Sequence, residues 1–230
     1  MKAVILQSAY FPWRGYFDLI HDADIFCFYD EVKYTKNDWR NRNKIYSPQG
    51  VRWLSIPLSR DAVKQKISSV TLPSGFEVAH LDALRNAYDR APHWDQLEAL
   101  QKELYQDNHF TLLSKLNQYA TQKIASLIGV NTRFVDSADY DLKGDRIERL
   151  VNLLNALGAT EYITGPSAKN YLAGAEHLFE ENKVNLSYKD YGEYPKYPQT
   201  HEPFEPFVSI LDLIANVSYS EMPNYIWARR

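Results

Sequence analysis

Hydrophobic and polar positions in the N-terminal part of the chain predict a strand, a helix and a second strand. The apolar run Lys2–Leu6 predicts a buried first strand. Tyr16, Leu19 and Ile20 then share one face of a predicted helix, and Asp24–Tyr29 is a second apolar run. A strand, a helix and a strand in close succession form a βαβ unit, which belongs to a parallel sheet and is right-handed in almost every case.

The middle of the chain changes from short strand patterns to helical ones. Val51–Leu58 alternates like a strand, and Ile67–Leu72 predicts a further short strand. Three helical patterns follow, over His80–Tyr88, Trp94–Gln106 and Phe110–Ile128. Three consecutive helices beside a sheet indicate a helical insertion or lobe.

The second half of the chain returns to an alternation of strands and helices. Strands are predicted at Thr132–Val135, Glu161–Thr164 and Val184–Lys189, and an amphipathic helix at Arg146–Leu157. Alternating elements of this kind are typical of parallel sheets covered by helices. The predicted fold class is therefore α/β, with a parallel, Rossmann-like core.

Length and composition bound the domain organisation. The chain has 230 residues and 45% hydrophobic content, which is enough for one large domain or one domain with an inserted subdomain. We predict that residues 1–75 form the first half of the α/β core and residues 76–130 the helical insertion or lobe. Residues 131–230 would form the second half of the core and a C-terminal helix.

Cysteine usage and hydropathy indicate the compartment. The single cysteine, Cys27, lies in an apolar run and has no partner for an internal disulfide. No apolar stretch approaches the roughly 20 residues that a membrane span needs, and the first apolar run is too short for a signal peptide. We therefore expect a soluble protein of the reducing cytoplasm.

The segment Asp30–Tyr46 carries the strongest chemical signal in the chain. It concentrates cations, carboxamides and aromatic rings in a protein whose formal net charge is −3. Such groups suit phosphates, carboxylates, sugars and bases. An exposed strand edge or loop with surplus charge is the alternative interpretation. The candidate ligand contacts in this segment are Trp39, Arg40, Asn41, Arg42, Asn43 and Lys44.

Other candidate binding residues follow the predicted strands. Ligands of parallel α/β sheets bind at the carboxyl ends of the strands, and both strands of the βαβ unit end at polar residues. Two later loops should reach the same edge and present backbone N–H groups and a cation to an anion. The alternative interpretation is that both loops are ordinary connections between a strand and a helix. The candidates are Gln7, Tyr10, Tyr16, Lys143, Ser167 and Lys169.

Segments spread over nearly the whole chain keep the order found in one protein family. They are KAVILQSAYFPWRGYFDLI, DIFCFYDEVKY, WRNRNKI, WLSIPL, the Y-x-x-A-P motif at residues 88–92, RIERLVNLLNALGATEYITGPSAKNYL, YPQ and SILDLIAN. With these segments the chain resembles the WbqC-like family, whose members are found with bacterial surface-polysaccharide gene clusters. The resemblance implies a role in making O-antigen or related glycans without implying one settled reaction. Ser8, Ala9 and Lys33 depart from the family pattern, which bears on ligand choice.

The opening also resembles nucleotidylyltransferase-type α/β folds, which carry an H-x-G-H loop after the first strand. Here the loop is Trp13-Arg14-Gly15-Tyr16, and the histidines that meet the triphosphate are absent. The fold likeness stays open, whereas ordinary adenylyl transfer is not expected. Gly15 would permit close approach of a ligand to the backbone at a helix start, and a simple strand-to-helix turn is the alternative.

No nucleophile-and-base pair stands out in the sequence. The six histidines have no metal-site spacing, and cysteine clusters and dense carboxylate sets are missing, so we predict neither a metal nor a cofactor. His80 is the candidate general base, because it matches a position after the central strand region in the resembling family and an imidazole titrates near neutral pH. Asp30 is the candidate catalytic carboxylate.

The first functional hypothesis is an enzyme of glycan precursor synthesis. It would transfer an acyl or aminoacyl group from an activated donor to an amino group of a nucleotide-linked or lipid-linked sugar. Cations would hold the diphosphate or donor, carboxamides would orient the sugar or carbonyl, and a carboxylate or imidazole would take the amine proton. The cations are Arg40, Arg42 and Lys44, and the carboxamides are Gln7, Asn41 and Asn43. The proton acceptor is Asp30 or His80.

Two other classes of function remain open. The absence of a catalytic set is compatible with a non-catalytic subunit that binds a sugar nucleotide or a partner enzyme. The aromatic-interleaved basic segment is compatible with RNA binding, although the negative net charge and the lack of an RNA-recognition motif disfavour a general nucleic-acid binder. A donor delivered on a tRNA would combine the enzyme and RNA hypotheses.

Overall fold

The computed structural model describes residues 1–227, and its strands form a parallel sheet and a separate antiparallel hairpin. The strands are β1 (Lys2–Leu6), β2 (Ile25–Phe28), β3 (Arg42–Ser47), β4 (Gly50–Ser55), β5 (Arg133–Asp136), β6 (Glu161–Thr164) and β7 (Asn185–Tyr188). Within the described range the parallel sheet has five strands in the order β5-β2-β1-β6-β7, and the hairpin consists of β3 and β4.

Helices cover both faces of the parallel sheet. They are α1 (Arg14–His21), α2 (Phe76–Tyr88), α3 (Trp94–Lys102), α4 (Leu113–Leu127), α5 (Arg146–Leu157), α6 (Lys169–Leu172), α7 (Glu176–Glu181), α8 (Ile210–Asn216) and α9 (Pro223–Ile226). Short 3-10 turns precede some of them, among them Pro166–Ala168 after β6.

The predicted βαβ unit is present, and α1 connects its two strands. β1 pairs with β2 in parallel, from Ala3 opposite Ile25 to Leu6 opposite Phe28. β6 pairs in parallel on the other side of β1, with Ala3 opposite Tyr162. The prediction of an α/β fold with a parallel, Rossmann-like sheet is confirmed.

The direction of strand addition reverses between β1 and β6. From β1 the chain adds β2 and β5 on one side, and after α5 it adds β6 and β7 on the other. α1 packs on the face that carries Val4 and Phe26, and α5 packs on the face that carries Ala3 and Ile5. The loops after β1 and β6 therefore diverge and leave a crevice at the carboxyl edge, the place where open α/β sheets bind ligands.

Helix α5 spans its predicted residues because the sequence contains both end signals. The Asp145 carboxylate accepts hydrogen bonds from the amides of Ile147 and Glu148, and the Glu148 side chain completes a capping box. Gly158 ends the helix in the left-handed conformation, with φ of 70°. These signals place Arg146 at the carboxyl edge of the sheet.

The helices α2, α3 and α4 pack on the same side of the sheet as α1. Leu84, Leu97 and Leu116 are buried in one hydrophobic cluster with Phe17 of α1. The predicted boundaries after residues 75 and 130 fall between secondary-structure elements, and the division into segments stays a prediction. In residues 1–227 no helix is both long enough and apolar enough to cross a membrane.

One prediction for the region before α2 is wrong, and one strand in this region has no predicted counterpart. Ile67–Leu72 is not a strand, because Ile67–Ser69 forms a 3-10 turn that buries Ile67. The strand β3 has no counterpart in the sequence prediction, because Arg42, Asn43 and Lys44 interrupt its apolar alternation. The buried side chains Ile45 and Leu54 pack the hairpin onto the hydrophobic cluster of the lobe.

Two predicted helices of the lobe have different bounds. α4 begins at Leu113, three residues after Phe110, because the preceding segment is extended and Thr71 forms a bridge with Leu112. The helix predicted over Trp94–Gln106 changes at Glu103 into a π-helical turn that ends at Asp107.

Candidate functional site

A cavity of about 900 Å³ opens at the carboxyl edge of the sheet, in the crevice between β1 and β6. Gln7 follows β1, Tyr29 follows β2 and Thr164 ends β6, so three neighbouring strands reach the cavity. The basic segment, α5 and the C-terminal tail supply the rest of its wall. This volume is within the range of small-molecule sites in proteins.

Arg40 is a buried cation in the cavity wall. Its side chain is 10% exposed, and its Nη1 donates to the carbonyl oxygens of Gln7 (2.9 Å) and Ser8 (2.7 Å). Nε has no hydrogen-bond partner in the described part of the chain and lies 3.8 Å from Asp38 Oδ2. The two carbonyl contacts fix the guanidinium in the cavity wall, where its charge can attract an anion.

Arg146 is a second cation of the cavity, on the opposite side of the switch point. It is exposed, it occupies the first turn of α5, and its guanidinium stacks 4.0 Å from the ring centre of Tyr171. A cation is electrostatically disfavoured at a helix N-terminus. A residue that breaks this local rule beside a cavity is expected to serve a ligand.

Aromatic side chains form the flat walls of the cavity. The Trp13 ring lies 5.3 Å from that of Tyr191 and 6.0 Å from that of Phe207. Trp39 is 46% exposed and Phe207 is 63% exposed, although both line the cavity. Exposed aromatic faces of this kind stack on sugars and bases.

Two hydrogen-bonded side chains shape the loop between β1 and α1. Tyr16 donates from its hydroxyl to the carbonyl oxygen of Gln7 (3.0 Å). Asn43 donates through Nδ2 to the carbonyl oxygens of Phe11 (2.8 Å) and Tyr10 (3.2 Å). Phe11 has a φ of 41°, which is strained for a residue with a side chain, and Asn43 helps to hold it.

Gly15 faces Trp13 and not a ligand. A Cβ atom at this position would overlap the six-membered ring of the Trp13 indole. The close approach predicted for Gly15 is therefore made within the protein, and it lets the indole lie against the start of α1.

We expect Gly15→Ala to lower the free energy of unfolding by about 1–3 kcal/mol, because the added methyl overpacks the indole. Chemical denaturation measures this loss. Trp13→Phe in the same chain should restore most of it, because the smaller ring leaves room. Additive losses in the double variant would contradict the proposed overlap.

The predicted site residues divide into two groups. Those that line the cavity are Gln7, Tyr16, Trp39, Arg40, Asn43 and Ser167. Those outside the lining are Tyr10, Asp30, Asn41, Arg42, Lys44, His80, Lys143 and Lys169. The structure thus brings together the carboxyl ends of β1 and β6 with part of the basic segment.

Asp30 is buried below the cavity. Its Oδ1 accepts from the Ser8 amide (2.8 Å) and its Oδ2 from Nε2 of Gln118 (3.0 Å). Burial raises the pKa of the Asp30 carboxyl, and the hydrogen bonds from Ser8 and Gln118 and the charge of Arg40 oppose this. In this position Asp30 anchors the start of the loop after β1.

His80 lies in a buried hydrogen-bond chain within the lobe. Nε2 is 3.0 Å from the Ser55 carbonyl oxygen and must donate to it, so Nδ1 accepts from the Tyr10 hydroxyl at 2.6 Å. The Tyr105 hydroxyl continues the chain at 2.5 Å from that of Tyr10. Burial lowers the pKa of His80 and favours the neutral imidazole. His80 and Tyr10 therefore hold the hairpin against α2.

The other basic-segment residues are engaged on the hairpin. Asn41 accepts from the Tyr34 hydroxyl and donates to the Ile56 carbonyl oxygen, both at 2.8 Å. The Arg42 guanidinium lies 4.2 Å from the Trp53 ring centre, and the Lys44 ammonium lies 5.8 Å from it. These two cations face outward, beside the cavity mouth at Trp39.

The two predicted anion loops differ in position. Ser167, in the turn after β6, lines the cavity. Lys169 points to the ring of Tyr188, 5.1 Å from its centre. Lys143 forms an exposed ion pair with Asp141 at 3.1 Å.

Several lining residues are absent from the individually named candidates, although the sequence contains a signal for two of them. Lys33 is a cation of the basic segment and departs from the family pattern, and Arg146 closes the second predicted anion loop, residues 143–146. Asp38 does not stand out from its neighbours in the basic segment.

Tyr191 and Phe207 come from the segment between β7 and α8, which contacts Trp13 in the loop after β1. The sequence contains 17 tyrosines and 5 tryptophans, and this high aromatic content is the feature of the sequence that is consistent with such walls.

The cavity lining carries more positive than negative charges. It includes the cations Lys33, Arg40 and Arg146, and Asp38 is its one carboxylate within residues 1–227. No group of three or more histidine, cysteine, aspartate or glutamate side chains in that range could hold a metal ion. The arrangement can bind an anion between two guanidinium groups and a flat ring beside it.

Comparison with known proteins places the chain in a family. A sequence model of the WbqC-like protein family matches residues 7–223. The chain is also 41% identical over 227 residues to a protein of Mycobacterium tuberculosis described as "Uncharacterized protein Rv1507c", covering 98% of this chain and 97% of that protein. No solved structure gives a significant match.

Proposed function

The chain belongs to the WbqC-like protein family, and from this premise we propose that it binds a diphosphate-linked sugar and acts in the synthesis of bacterial surface-polysaccharide precursors, of which O-antigen is the type. The single observation that carries the proposal is the cavity at the β1/β6 switch point, where two guanidinium groups meet exposed aromatic walls. We place this activity in the cytoplasm.

The cations and rings fit the parts of such a ligand. A diphosphate carries charge that Arg40 and Arg146 can share from opposite sides of the crevice. The nucleoside or sugar ring would stack on Trp13 or Trp39. Gln7 and Ser167, at the ends of β1 and β6, would donate to sugar hydroxyls or to a carbonyl.

The reaction that we propose at this site is acyl or aminoacyl transfer to an amino sugar. The amine nitrogen would bond to the carbonyl carbon of an activated donor, the bond from that carbon to the donor's leaving group would break, and one proton would pass from the nitrogen to the departing group. Asp30 and His80 lie outside the cavity lining, so we propose that they position the loop after β1 and the hairpin.

The outer face of the hairpin supports a second candidate, in which the aminoacyl donor is carried on a tRNA. Trp39 and Trp53 are exposed with ring centres 5.5 Å apart, and Arg42 and Lys44 flank Trp53. Stacking rings between cations bind single-stranded nucleic acid. Retention of a tRNA at moderate salt, lost on Trp53→Ala, would support this candidate.

The experiment for the first proposal is a calorimetric screen of UDP-, GDP- and dTDP-sugars, including 4-amino sugars. We expect micromolar dissociation constants, as for many enzyme substrates, and much weaker binding of the free sugars, which lack the diphosphate. Mass spectrometry with acyl and aminoacyl donors then tests for product. Binding without product under any donor would favour a non-catalytic binding protein, and no binding to any sugar nucleotide would overturn the proposal.

A further inference from the structure

We propose that Asp38 is the residue that recognises a primary amino group on the sugar bound in the cavity. The inference rests on the proposed function, and it assigns recognition of the amino group of that sugar to one residue of the cavity. In this proposal the loop from Thr35 to Trp39 presents one carboxylate to the ligand.

Asp38 is placed differently from the other acids near the sheet edge. It lines the cavity with its side chain 33% exposed, whereas Asp30 is 1% exposed and lies outside the lining. All other charged side chains of the lining in the described range are cations, namely Lys33, Arg40 and Arg146. A lone carboxylate in such a wall disfavours a purely anionic ligand and favours one that carries a positive group beside its phosphates.

The hydrogen bonds of Asp38 leave capacity for a ligand. Oδ2 accepts from the Thr35 hydroxyl at 2.6 Å, and Oδ1 accepts from the Trp39 amide at 2.7 Å. Each carboxylate oxygen can accept a second hydrogen bond. Arg40 Nε forms an ion pair with Oδ2 at 3.8 Å, a distance too long for a hydrogen bond, so the pair does not use the remaining acceptor positions.

The loop that carries Asp38 is held in a strained conformation. Asn37 has a φ of 63°, in the left-handed region. The Arg42 guanidinium donates through Nη2 to the Asn37 carbonyl oxygen at 2.6 Å and through Nη1 to the Asn37 Oδ1 at 3.4 Å. Because the same guanidinium stacks on Trp53, Arg42 clamps the loop against the hairpin. Arg42 is thus a positioning residue for Asp38.

The charge state of Asp38 fits recognition of an ammonium group. Burial alone raises the pKa of its carboxyl, but the Arg40 charge, the Thr35 hydroxyl and the Trp39 amide outweigh burial and hold the pKa below its ordinary value. The carboxylate is therefore ionised at neutral pH. It can accept a charge-assisted hydrogen bond from an ammonium group of the ligand.

Two matched ligand pairs test the inference by calorimetry. UDP-glucosamine and UDP-glucose differ at C2, and dTDP-4-amino-4,6-dideoxyglucose and dTDP-6-deoxyglucose differ at C4, each by an amino group in place of a hydroxyl. We expect the protein to prefer the amino sugar of at least one pair by about 10-fold or more. Asp38→Asn should abolish that preference by weakening the binding of the amino sugar, whereas the hydroxyl sugar should bind equally well or more tightly, because a carboxylate no longer repels its diphosphate.

Two further variants separate recognition from a structural role. Thr35→Val removes a hydrogen bond to Asp38 and keeps the charge, so it should lower the melting temperature while the amino preference survives. Asp61→Asn removes an exposed acid that pairs with Lys64 outside the cavity. It should change neither the preference for the amino sugar nor the melting temperature. Equal loss of preference in Thr35→Val and Asp38→Asn would overturn the inference.

The remaining outcomes distinguish the inference from the proposed function. If both sugars of each pair bind equally well and Asp38→Asn leaves their affinities unchanged, the inference fails and the proposed function stands. If no nucleotide sugar binds the unmodified protein, both fail.

Discussion

Replacing Arg146 with glutamine should weaken the binding of a nucleotide-linked sugar by about 10- to 100-fold, the loss expected for a hydrogen bond to a charged group. The melting temperature should change little. The substitution removes a cation that the helix dipole disfavours in the first turn of α5, and it also removes the stacking of the guanidinium on Tyr171, so the two effects oppose each other. Glutamine keeps a comparable helix propensity.

Lys143→Gln is the matched control for this experiment. Lys143 lies in the loop before α5, is exposed, pairs with Asp141 and does not line the cavity. Its replacement should leave both affinity and melting temperature unchanged. Calorimetry and thermal unfolding on the two variants check both expectations. Wild-type affinity in Arg146→Gln would show that the diphosphate does not bind at the switch-point cavity.

The free energy of unfolding of the wild-type protein, minus that of Asp212→Asn, should fall by on the order of 4 kcal/mol as the pH rises from 4 to 8. Burial raises the pKa of Asp212 to about 7, from an ordinary value of 3.8, against the opposing effects of Gln199, Tyr197 and Arg14. The folded state therefore holds a proton that the unfolded state releases, and each pH unit between the two pKa values costs about 1.4 kcal/mol.

The sign of this effect follows from the raised pKa. Below about pH 4 Asp212 is neutral in both states, so its contribution to stability is complete. The contribution is lost progressively between pH 4 and pH 7, because the unfolded chain releases its proton while the buried carboxyl keeps it, and the loss is complete once the pH has passed the folded pKa near 7. Denaturant unfolding of both proteins across this range measures the difference. Parallel pH profiles for the two proteins would contradict the prediction.

This buried carboxyl bears on the cavity through α8. The first turn of α8 ties the C-terminal part of the chain to the cavity loops, since the Ile210 amide donates to the Pro12 carbonyl oxygen (3.0 Å) and the Ser209 hydroxyl to that of Phe11 (2.8 Å). The Ser209 amide donates to the Lys44 carbonyl oxygen on β3 (2.8 Å). Through these hydrogen bonds α8 connects the C-terminal part of the chain to the loops of the cavity wall.

Local signals in the sequence were sufficient for the elements that define the sheet. The apolar runs predict β1 and β2 as parallel neighbours, and the capping residues around α5 predict its full length. The carboxyl-end rule then places Gln7 and Ser167 at one edge, where the structure has its cavity. These inferences succeed because each depends on short-range patterns or on the handedness of a βαβ unit.

The composition of the cavity wall could not be predicted in the same way. Tyr191 and Phe207 reach Trp13 only because the tail folds back across the sheet edge, and no local pattern encodes that path. Asp30 and Arg42 carry suitable chemistry, but their partners Ser8, Gln118 and Asn37 occupy them within the protein. A sequence shows which side chains can bind a ligand and does not show which are already satisfied.

The most direct test of the proposed site is a crystal structure of the protein with the tightest-binding nucleotide sugar from the calorimetric screen. We predict that the diphosphate lies within hydrogen-bond distance of both Arg40 and Arg146, in the crevice between β1 and β6, with a ring stacked on Trp13 or Trp39. A ligand bound on the outer face of the hairpin at Trp53, with the switch-point cavity empty, would contradict the account.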